Sequence, residues 1–309
     1  MASSINTATV ESLKTILYFS IFKYPLKLEE ICSYYPEKDH SKVETELQLL
    51  LDRKIIQKVG DYYLRDCDPD CIEKRQLGNR MAANAMIKAS ERAGLISKFP
   101  FVEAVGISGS LSKGCYDHES DIDFFVITRP GRLWVARTLL MLYKKIFLLN
   151  SRKYFCINYF VASDKLEIEE KNRFTATEIK TLIPMLGGKL LKEFYEKNTW
   201  ISSILGAHCP DLSAVPEISK PLFAKTIEWF LCGSIGKSVD SFLRKLTLRF
   251  WERKFSAMTR DDFNIALKST PDVSKHHPLN FQKKVIRALN EKYEELRQSH
   301  NIVLQKEYV

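Results

Sequence analysis

The sequence predicts a multidomain fold of the α+β or α/β class, with a small helical unit first, a small mixed-sheet core next and a helical C-terminal region last. Three observations predict this order. Apolar residues recur at helical spacing through residues 9–54, three apolar runs typical of strands follow between residues 102 and 162, and the pattern is helical from Thr175 almost to the end. We therefore divide the chain into residues 1–68, 69–185 and 186–309.

Residues 1–68 are predicted to contain three helices and a β-hairpin. One helix covers Thr9–Phe22, a short one covers Leu26–Tyr34, and a third begins at Ser41, which caps it together with Glu44. Two short strands, IIQKVG and DYYLRD, then surround a turn at Gly60. Three helices followed by a two-stranded wing resemble a winged helix, which is our assignment for this first domain.

The charge of this first domain argues against DNA as its partner. Residues 1–66 contain nine Lys or Arg and ten Asp or Glu residues, and the third predicted helix carries as many acidic as basic side chains. Recognition helices usually present a basic face to phosphates. We therefore do not expect DNA binding, and we interpret the domain as a packing or protein-contact module.

The core is predicted from strands and helices that alternate along the chain. Residues 70–98 have a helical pattern, and a long helix over Arg132–Leu149 follows Pro130 and Gly131. The predicted strands are Val102–Ile107, Asp121–Thr128 and Tyr154–Ala162. This order predicts a small sheet with helices packed against it.

The positive charge of the chain lies mainly in its last quarter. The net charge is +9, and residues 237–309 carry 15 Lys or Arg against nine Asp or Glu residues. A partner that bears phosphates is therefore expected at this part of the chain or in its middle, and not at the N-terminal unit.

Composition also predicts the compartment. No run of eighteen uncharged apolar residues occurs, and the N-terminus lacks a basic start followed by an apolar block, so we expect neither a membrane partner nor secretion. Seven cysteines, an odd number, suit free thiols in a reducing environment. We therefore expect a cytoplasmic protein, with no zinc site at the isolated pair Cys67 and Cys71.

The segment from Val105 to Thr128, VGISGSLSKGCYDHESDIDFFVIT, is the most informative part of the chain. Its first strand ends at Gly109 and Ser110, where two small residues allow a sharp turn close to a ligand. The N–H groups of the short helical turn that follows can bind phosphate oxygens. Ser110 adds a hydroxyl group and Lys113 a cation, so we predict nucleotide binding by Gly109, Ser110 and Lys113.

The second half of the segment brings two carboxylates together. Alternate side chains of a strand share a face, so Asp121 and Asp123 are predicted to point the same way, about 7 Å apart along the strand. Two ionised carboxylates at that distance repel each other, and a divalent cation removes the conflict. Oxygen ligands suit Mg²⁺ or Mn²⁺, which we expect as the cofactor. A phosphate chain on the Gly-Ser turn can share this metal, the arrangement that nucleotidyl transfer requires.

Gly-Ser, a spacer of this length and Asp-x-Asp on a strand resemble the signature of the DNA polymerase β-like nucleotidyltransferase superfamily. The whole chain is similar to bacterial nucleotidyltransferase domain-containing proteins that begin with a winged helix and contain an ATEI segment, here Ala176–Ile179. The resemblance implies a nucleotidyltransferase core in which Gly109 and Ser110 hold a nucleoside triphosphate. It also implies that Asp121 and Asp123 bind metal and are catalytic.

One departure from the superfamily pattern concerns a third carboxylate, which many members carry on a later strand. The strand KYFCINYFVA has no acidic residue on either face. Asn158 is its best oxygen donor and is expected to bind metal through its carbonyl group or to form a hydrogen bond only. Asp164 and Glu167 lie just beyond the strand, and either would have to reach the site from a loop.

Three functional hypotheses follow. The first is a metal-dependent enzyme that transfers a nucleoside monophosphate from a nucleoside triphosphate to an acceptor, which is a small molecule, a protein or an RNA end. The second, motivated by the missing carboxylate, is a degenerate nucleotide-binding regulator with the winged helix as its output. The third is an interaction module in which the core is only a scaffold.

Two C-terminal segments have both structural and functional interpretations. The segment from Lys268 to Pro278, KSTPDVSKHHP, is either a substrate-contacting loop over the site or, as we prefer, a capped linker with exposed histidines. The second segment contains aromatic residues near helical spacing, for which we prefer core packing to base stacking: Trp229, Phe230, Phe242, Phe250 and Trp251.

Overall fold

The computed structural model describes residues 10–37, 39–151, 153–207 and 210–308, and within them it contains helices around two β-sheets. The α-helices are α1 (Glu11–Ser20), α2 (Leu28–Ser33), α3 (His40–Asp52), α4 (Asp70–Ser97), α5 (Leu133–Phe147), α6 (Arg173–Lys180), α7 (Gly188–Lys197), α8 (Ser202–Leu205), α9 (Leu222–Phe230), α10 (Ser234–Lys254), α11 (Arg260–Ala266) and α12 (Phe281–His300). The strands are β1 (Leu26–Lys27), β2 (Gln57–Val59), β3 (Tyr62–Leu64), β4 (Val102–Ser108), β5 (Asp123–Thr128), β6 (Cys156–Ala162), β7 (Ile183–Leu186) and β8 (Val273–Lys275).

The N-terminal unit contains α1, α2 and α3 and a small antiparallel sheet in the order β1-β3-β2. Gly60 has φ +56° in the turn between β2 and β3, a conformation that glycine adopts without strain. The cap of α3 differs from the prediction, because Asp39 and not Ser41 accepts the hydrogen bonds of the first turn, from the N–H groups of Ser41 and Lys42. The assignment of this unit as a winged helix stays a prediction.

The central sheet has five strands in the order β7-β4-β5-β6-β8. β5 and β6 are parallel and are joined by α5, while the other neighbouring pairs are antiparallel. The predicted strands and the long helices before and after them are present, with ends that differ by one or two residues. The fold is therefore a mixed α/β arrangement, as the sequence predicts.

Helices cover both faces of this sheet. On one face, α4, α5 and the buried Trp251 of α10 pack against apolar side chains such as Phe124 and Val126 of β5. On the other face, α6 and α7 pack against Phe125 and Ile127. Burial on both faces explains why β5 reads as a nearly continuous apolar run after its first residue, Asp123.

The predicted helical pattern from Thr175 almost to the end is correct except at β7 and β8, which are the two edge strands of the sheet. Pro184 lies inside β7, and a proline within an apolar run argues against a strand unless the strand lies at an edge. β8 has only three residues, too few for a pattern of alternation. Pairing with β4 and β6 therefore makes these strands, since their own sequences give no strand signal.

The C-terminal elements pack in two different places. Trp251 of α10 joins the core of the central sheet. Helix α12 instead contributes Leu289, Tyr293 and Leu296 to the core of the N-terminal unit, beside Leu13 and Leu17 of α1. The division into three domains stays a prediction, and α12 is the element that links the last range to the first.

No helix within the described ranges is both long enough and apolar enough to cross a membrane. The predicted Arg132–Leu149 helix corresponds to α5, in which Arg137 is buried between the rings of Trp134 and Trp251.

Candidate active site

The turn after β4 places backbone N–H groups at the C-terminal end of this central strand. Gly109 has φ +70°, and a short 3₁₀-helix, Leu111–Lys113, follows Ser110. A Cβ atom built on Gly109 would lie 2.3 Å from Oδ2 of Asp123. Only glycine fits there, because both its backbone conformation and the carboxylate beside it exclude a side chain.

Of the two predicted aspartates, Asp123 lies beside this turn, and Asp121 precedes it by two residues. Asp123 is the first residue of β5 and pairs in register with Ser108, the last residue of β4. Asp121 lies two residues before the strand, so the predicted start of the strand at Asp121 is two residues early. Ile122 between them is buried, and its N–H group donates to Lys153 O at 2.9 Å. The pairing of Asp123 with Ser108 and this hydrogen bond together fix the backbone between the two carboxylates.

Asp123 is in an environment that disfavours its charge. Burial raises its pKa to about 7, and the nearby carboxylates of Glu178 and Asp121 act in the same direction. A hydrogen bond with Cys156 and the positive charge of Lys113 oppose this shift. The negative charges of Glu178 and Asp121 both act on Asp123, and the positive charge of Lys113 does not offset them together with burial.

Asn158 positions Asp123 from the neighbouring strand β6. Its Nδ2 atom donates to Oδ1 of Asp123 at 2.8 Å, and its Oδ1 atom accepts from the thiol of Cys156 at 3.3 Å. Of the two roles predicted for Asn158, the structure contains the hydrogen bond. Its role as a metal ligand stays a prediction.

Glu178 is the acidic residue that sequence analysis did not assign to the site. It lies on α6, within the ATEI segment, and its Oε2 atom accepts a hydrogen bond from the N–H group of Gly109 at 3.4 Å. Its Oε1 atom forms an ion pair with Lys113 Nζ at 2.8 Å. The ATEI segment was noted in the sequence as part of the resemblance, but only the packing of α6 on the sheet brings the carboxylate of Glu178 to the turn.

Lys113 lies at the turn, as the sequence predicts, and its ammonium group is held there by two contacts. Besides the ion pair with Glu178, Nζ donates to Gly109 O at 2.9 Å. Asp164 and Glu167, the two acidic residues considered as substitutes for a third carboxylate, are both exposed, and Glu167 pairs with Lys171 on the surface. Glu178 therefore brings a carboxylate to the turn from a different element, α6.

The segment from Lys268 to Pro278 is not a linker with exposed histidines, because it contains β8 at the edge of the sheet. Lys275 is buried, faces Tyr159 in register, and donates from Nζ to Gln282 Oε1 at 2.5 Å. Burial lowers the pKa of Lys275 and also that of His277, to about 4, while the charge of Glu178 acts on both groups in the opposite direction. These basic groups therefore lie close to the carboxylate cluster.

The residues at this site suit a divalent cation by their chemistry. Among the described residues, no group of three or more His, Cys, Asp and Glu side chains is arranged to hold a metal ion. Mg²⁺, however, commonly binds one or two protein carboxylates and takes its other ligands from water and substrate phosphates. Asp121 and Asp123 are the candidate pair, and besides burial the charges of Glu178 and Asp121 raise the pKa of Asp123, so a cation would act against both effects.

Comparison with known proteins gives one match. Residues 92–228 match the family model described as a nucleotidyltransferase domain. This range contains the Gly109 turn, both aspartates, Asn158 and Glu178, and it leaves out β8 and the N-terminal unit. No curated protein and no solved structure matches the chain.

Proposed function

We propose that this chain, whose residues 92–228 match the model of a nucleotidyltransferase domain, is a polymerase β-like enzyme that transfers a nucleoside monophosphate from a nucleoside triphosphate to an acceptor with the aid of Mg²⁺ or Mn²⁺. The reaction forms a bond between an acceptor atom and the α-phosphorus. It breaks the bond from the α-phosphorus to the oxygen that bridges to the β-phosphorus, and pyrophosphate leaves with that oxygen. The acceptor is a small molecule, a protein or an RNA end.

One observation carries this proposal. The glycine of the turn after β4 is in contact distance of the carboxylate that begins β5, so that a Cβ atom on Gly109 would collide with Asp123 Oδ2. A phosphate chain on the N–H groups of this turn would therefore lie directly beside the carboxylates. The phosphate-binding turn and the candidate metal-binding carboxylate of a nucleotidyl-transfer site thus lie together where β4 ends and β5 begins.

The turn residues are proposed to bind the triphosphate. Gly109 and Ser110 offer backbone N–H groups, and Ser110 offers its hydroxyl group as well. Lys113 supplies a positive charge that now pairs with Glu178. An incoming phosphate would compete with Glu178 for both Lys113 and the Gly109 N–H group, since the carboxylate occupies them in the structure.

Asp121 and Asp123 are proposed to hold the divalent cation, which would supply positive charge to the phosphate oxygens when bound. Asn158 orients Asp123 through its hydrogen bond to Oδ1. A pKa of about 7 for Asp123 in the protein alone means that its carboxyl group changes its protonation near neutral pH, so cation binding and loss of this proton are coupled.

The alternative, a regulator that binds nucleotide without turning it over, rests on the lack of an acidic residue on β6. Glu178 removes much of that motivation, because it brings a carboxylate to the turn from α6 instead. We propose Glu178 as the third carboxylate of the site. The charge of the first 66 residues also argues against a DNA-binding output.

The two interpretations differ in the release of pyrophosphate. The purified chain is incubated with each nucleoside triphosphate and Mg²⁺ or Mn²⁺, and pyrophosphate is measured together with label transfer to candidate acceptors. Release that is lost in Asp121→Ala and Asp123→Ala, but retained in the exposed control Glu167→Ala, supports the enzyme. Tight nucleotide binding without release under every condition supports the regulator.

A further inference from the structure

Helices α9 and α10 present a large apolar surface to solvent. Sequence analysis predicts core packing for their aromatic residues, and this prediction is correct only for Trp251. From the large exposed side chains of the two helices we define six, each between 53 and 70 % exposed, as the α9–α10 face: Trp229, Phe230, Ile235, Phe242, Leu246 and Phe250. An exposed patch of this kind on a soluble domain commonly marks a binding surface.

The face is a consequence of how α10 packs. Its core side is defined by Gly236, Asp240 and Trp251, which are buried against α5 and the sheet, and Asp240 Oδ1 accepts from the N–H group of Val135 at 2.9 Å. Apolar residues that follow Ile235 at intervals of seven, four and four residues lie together on another side of the helix. The helix therefore has an apolar side that no described residue covers.

Basic residues lie among and beside these apolar ones. Between residues 222 and 254, six exposed side chains are Lys or Arg, whereas Glu252 is the one exposed acidic residue. Lys254 Nζ lies 6.0 Å from the centre of the Phe250 ring, so charge and apolar surface are adjacent. The partner that complements this face is anionic and has apolar material beneath its charges.

We infer that the α9–α10 face docks on the surface of an anionic phospholipid bilayer. Apolar side chains with Lys and Arg beside them bind at the boundary of headgroups and acyl chains, where the apolar groups insert and the cations meet lipid phosphates. This mode needs no membrane-spanning helix. Surface docking of this kind differs from the absence of a membrane partner that we expect from the sequence, because that expectation rests on the lack of a spanning segment and of a secretion signal.

Two other occupants fit the face less well. A second copy related by a two-fold axis would present the same surface, with six exposed Lys or Arg residues and Glu252 as its one exposed acidic residue between residues 222 and 254, so its charge does not complement that of the face. Single-stranded RNA binds by stacking bases on aromatic rings, but Ile235 and Leu246 of the α9–α10 face have no ring on which a base could stack. A lipid surface uses aliphatic and aromatic side chains alike.

The test is co-sedimentation of the full chain with vesicles of phosphatidylcholine alone and of phosphatidylcholine and phosphatidylserine in equal parts. We expect binding to the second kind only, weakened by added salt. Phe242→Ser with Phe250→Ser, and separately Lys245→Glu with Arg249→Glu, should each weaken binding about tenfold or more. These positions are exposed, so thermal unfolding should stay that of the wild type.

Matched controls are available on α4, where Ile87→Ser removes an equally exposed apolar side chain and Lys74→Glu with Arg80→Glu reverses two exposed charges. These controls should bind vesicles as the wild type does. Equal binding to both kinds of vesicle, no binding to either, or variants as active in binding as the wild type would overturn the inference. Two further results would overturn it. One is light scattering that shows a dimer in the wild type and a monomer in the same variants. The other is binding of a single-stranded RNA oligonucleotide through this face without any binding to vesicles.

Discussion

Asp123 is the residue at which the electrostatics of the candidate site converge. Its carboxylate touches the glycine turn, accepts a hydrogen bond from Asn158 and lies within reach of the charges of Asp121 and Glu178. Burial and the charges of these two neighbours disfavour the ionised form of Asp123, and the charge of Lys113 offsets them only in part. That imbalance is the physical reason to expect that the site works with a cation and a phosphate chain and not as an isolated carboxylate cluster.

Glu178 is predicted to be required for turnover. Glu178→Gln keeps the size of the side chain and removes the charge, so the rate of pyrophosphate release should fall by about a hundredfold, the usual contribution of a catalytic carboxylate. Kinetics with saturating nucleotide measure this effect, and Glu167→Gln on the surface is the control. A Glu178→Gln enzyme with the wild-type rate would leave the site with two carboxylates only.

Gly109 is predicted to tolerate no side chain. Gly109→Ala combines a positive φ with a collision against Asp123 Oδ2, so it should abolish activity and destabilise the fold by about 1–3 kcal/mol. Gly60→Ala is the matched control, because Gly60 also has a positive φ but has no neighbour within 4 Å of the added atom. The control should lower the melting temperature slightly and leave activity unchanged; equal loss of activity in both variants would argue against a special role for the turn.

Glu46 of α3, which is not part of the candidate active site, is predicted to make the stability of the fold depend on pH. Burial raises its pKa from 4.5 to about 7, against the hydrogen bonds that Ser12 donates to its Oε2 atom. Between these values the unfolded chain loses the proton while the folded chain keeps it, so rising pH lowers the free energy of unfolding. The contribution of Glu46 is complete below about pH 4.5 and is lost above about pH 7, a change on the order of 2–3 kcal/mol.

The variant Glu46→Gln should remove this part of the pH dependence. Chemical unfolding of both proteins between pH 4.5 and pH 7.5 gives the difference in stability at each pH, which cancels the titration of all other groups. We expect the difference to grow with pH in favour of the glutamine variant. A difference that does not change with pH would mean that the carboxyl group of Glu46 has the same pKa in the folded and the unfolded chain.

At the scale of elements, β8 brings residues from outside the matched family range to the site. Lys275 on β8 lies beside Tyr159 of β6, and its charge and that of Glu178 affect each other. The strand has no signature of its own and exists because β6 offers an open edge. An edge strand thus supplies a buried cation that neither the Gly-Ser motif nor the family match includes.

Loss of the Lys275 cation is predicted to weaken nucleotide binding. Lys275→Met keeps the length of the buried side chain and removes its charge, so the dissociation constant for the nucleoside triphosphate should rise about tenfold, or about 1.4 kcal/mol. Isothermal titration measures it, with Lys283→Met on the exposed side of α12 as control. An unchanged dissociation constant, in a variant that unfolds like the wild type, would limit β8 to a structural role.

At the scale of the whole molecule, the last helix holds the first unit in place. Side chains of α12 complete the apolar core formed by α1 and α3, although more than two hundred residues separate them in the chain. Arg173, next to the ATEI segment, adds ion pairs to Glu11 of α1 and to Glu307 near the C-terminus. The N-terminal unit is therefore expected to unfold together with α12.

Leu289→Ala tests this link. Leu289 is 1 % exposed, and loss of its side chain should cost about 2–5 kcal/mol because a cavity remains between α12 and the N-terminal core. Leu279→Ala, at a side chain that is 71 % exposed, should change stability by no more than about 0.5 kcal/mol. Proteolysis of the first unit at a lower denaturant concentration in Leu289→Ala, but not in Leu279→Ala, is the expected result. Equal resistance of the two variants would show that the N-terminal unit folds without α12.

The sequence by itself determined the glycine turn, the aspartates and the strands around them. Gly109 and Asp123 lie within fifteen residues of each other, and the turn, the spacing and the apolar run of β5 are local features that a sequence pattern can carry. The long helices α4 and α5 were also predictable from local features: α4 from its many alanines and mixed charge before Pro100, and α5 from its amphipathic pattern after Pro130 and Gly131.

Only the tertiary structure decided which distant residues join this motif and which surfaces stay open. Glu178 reaches Gly109 because α6 packs on the sheet, and Lys275 is buried because β6 has a free edge. Likewise, the aromatic residues of α10 have the composition of a core but lie in solvent, because Trp251 and Asp240 set the side of the helix that is covered. Periodicity reveals that a helix has an apolar side, but burial also requires a neighbour, and the position of a neighbour is not encoded within the helix.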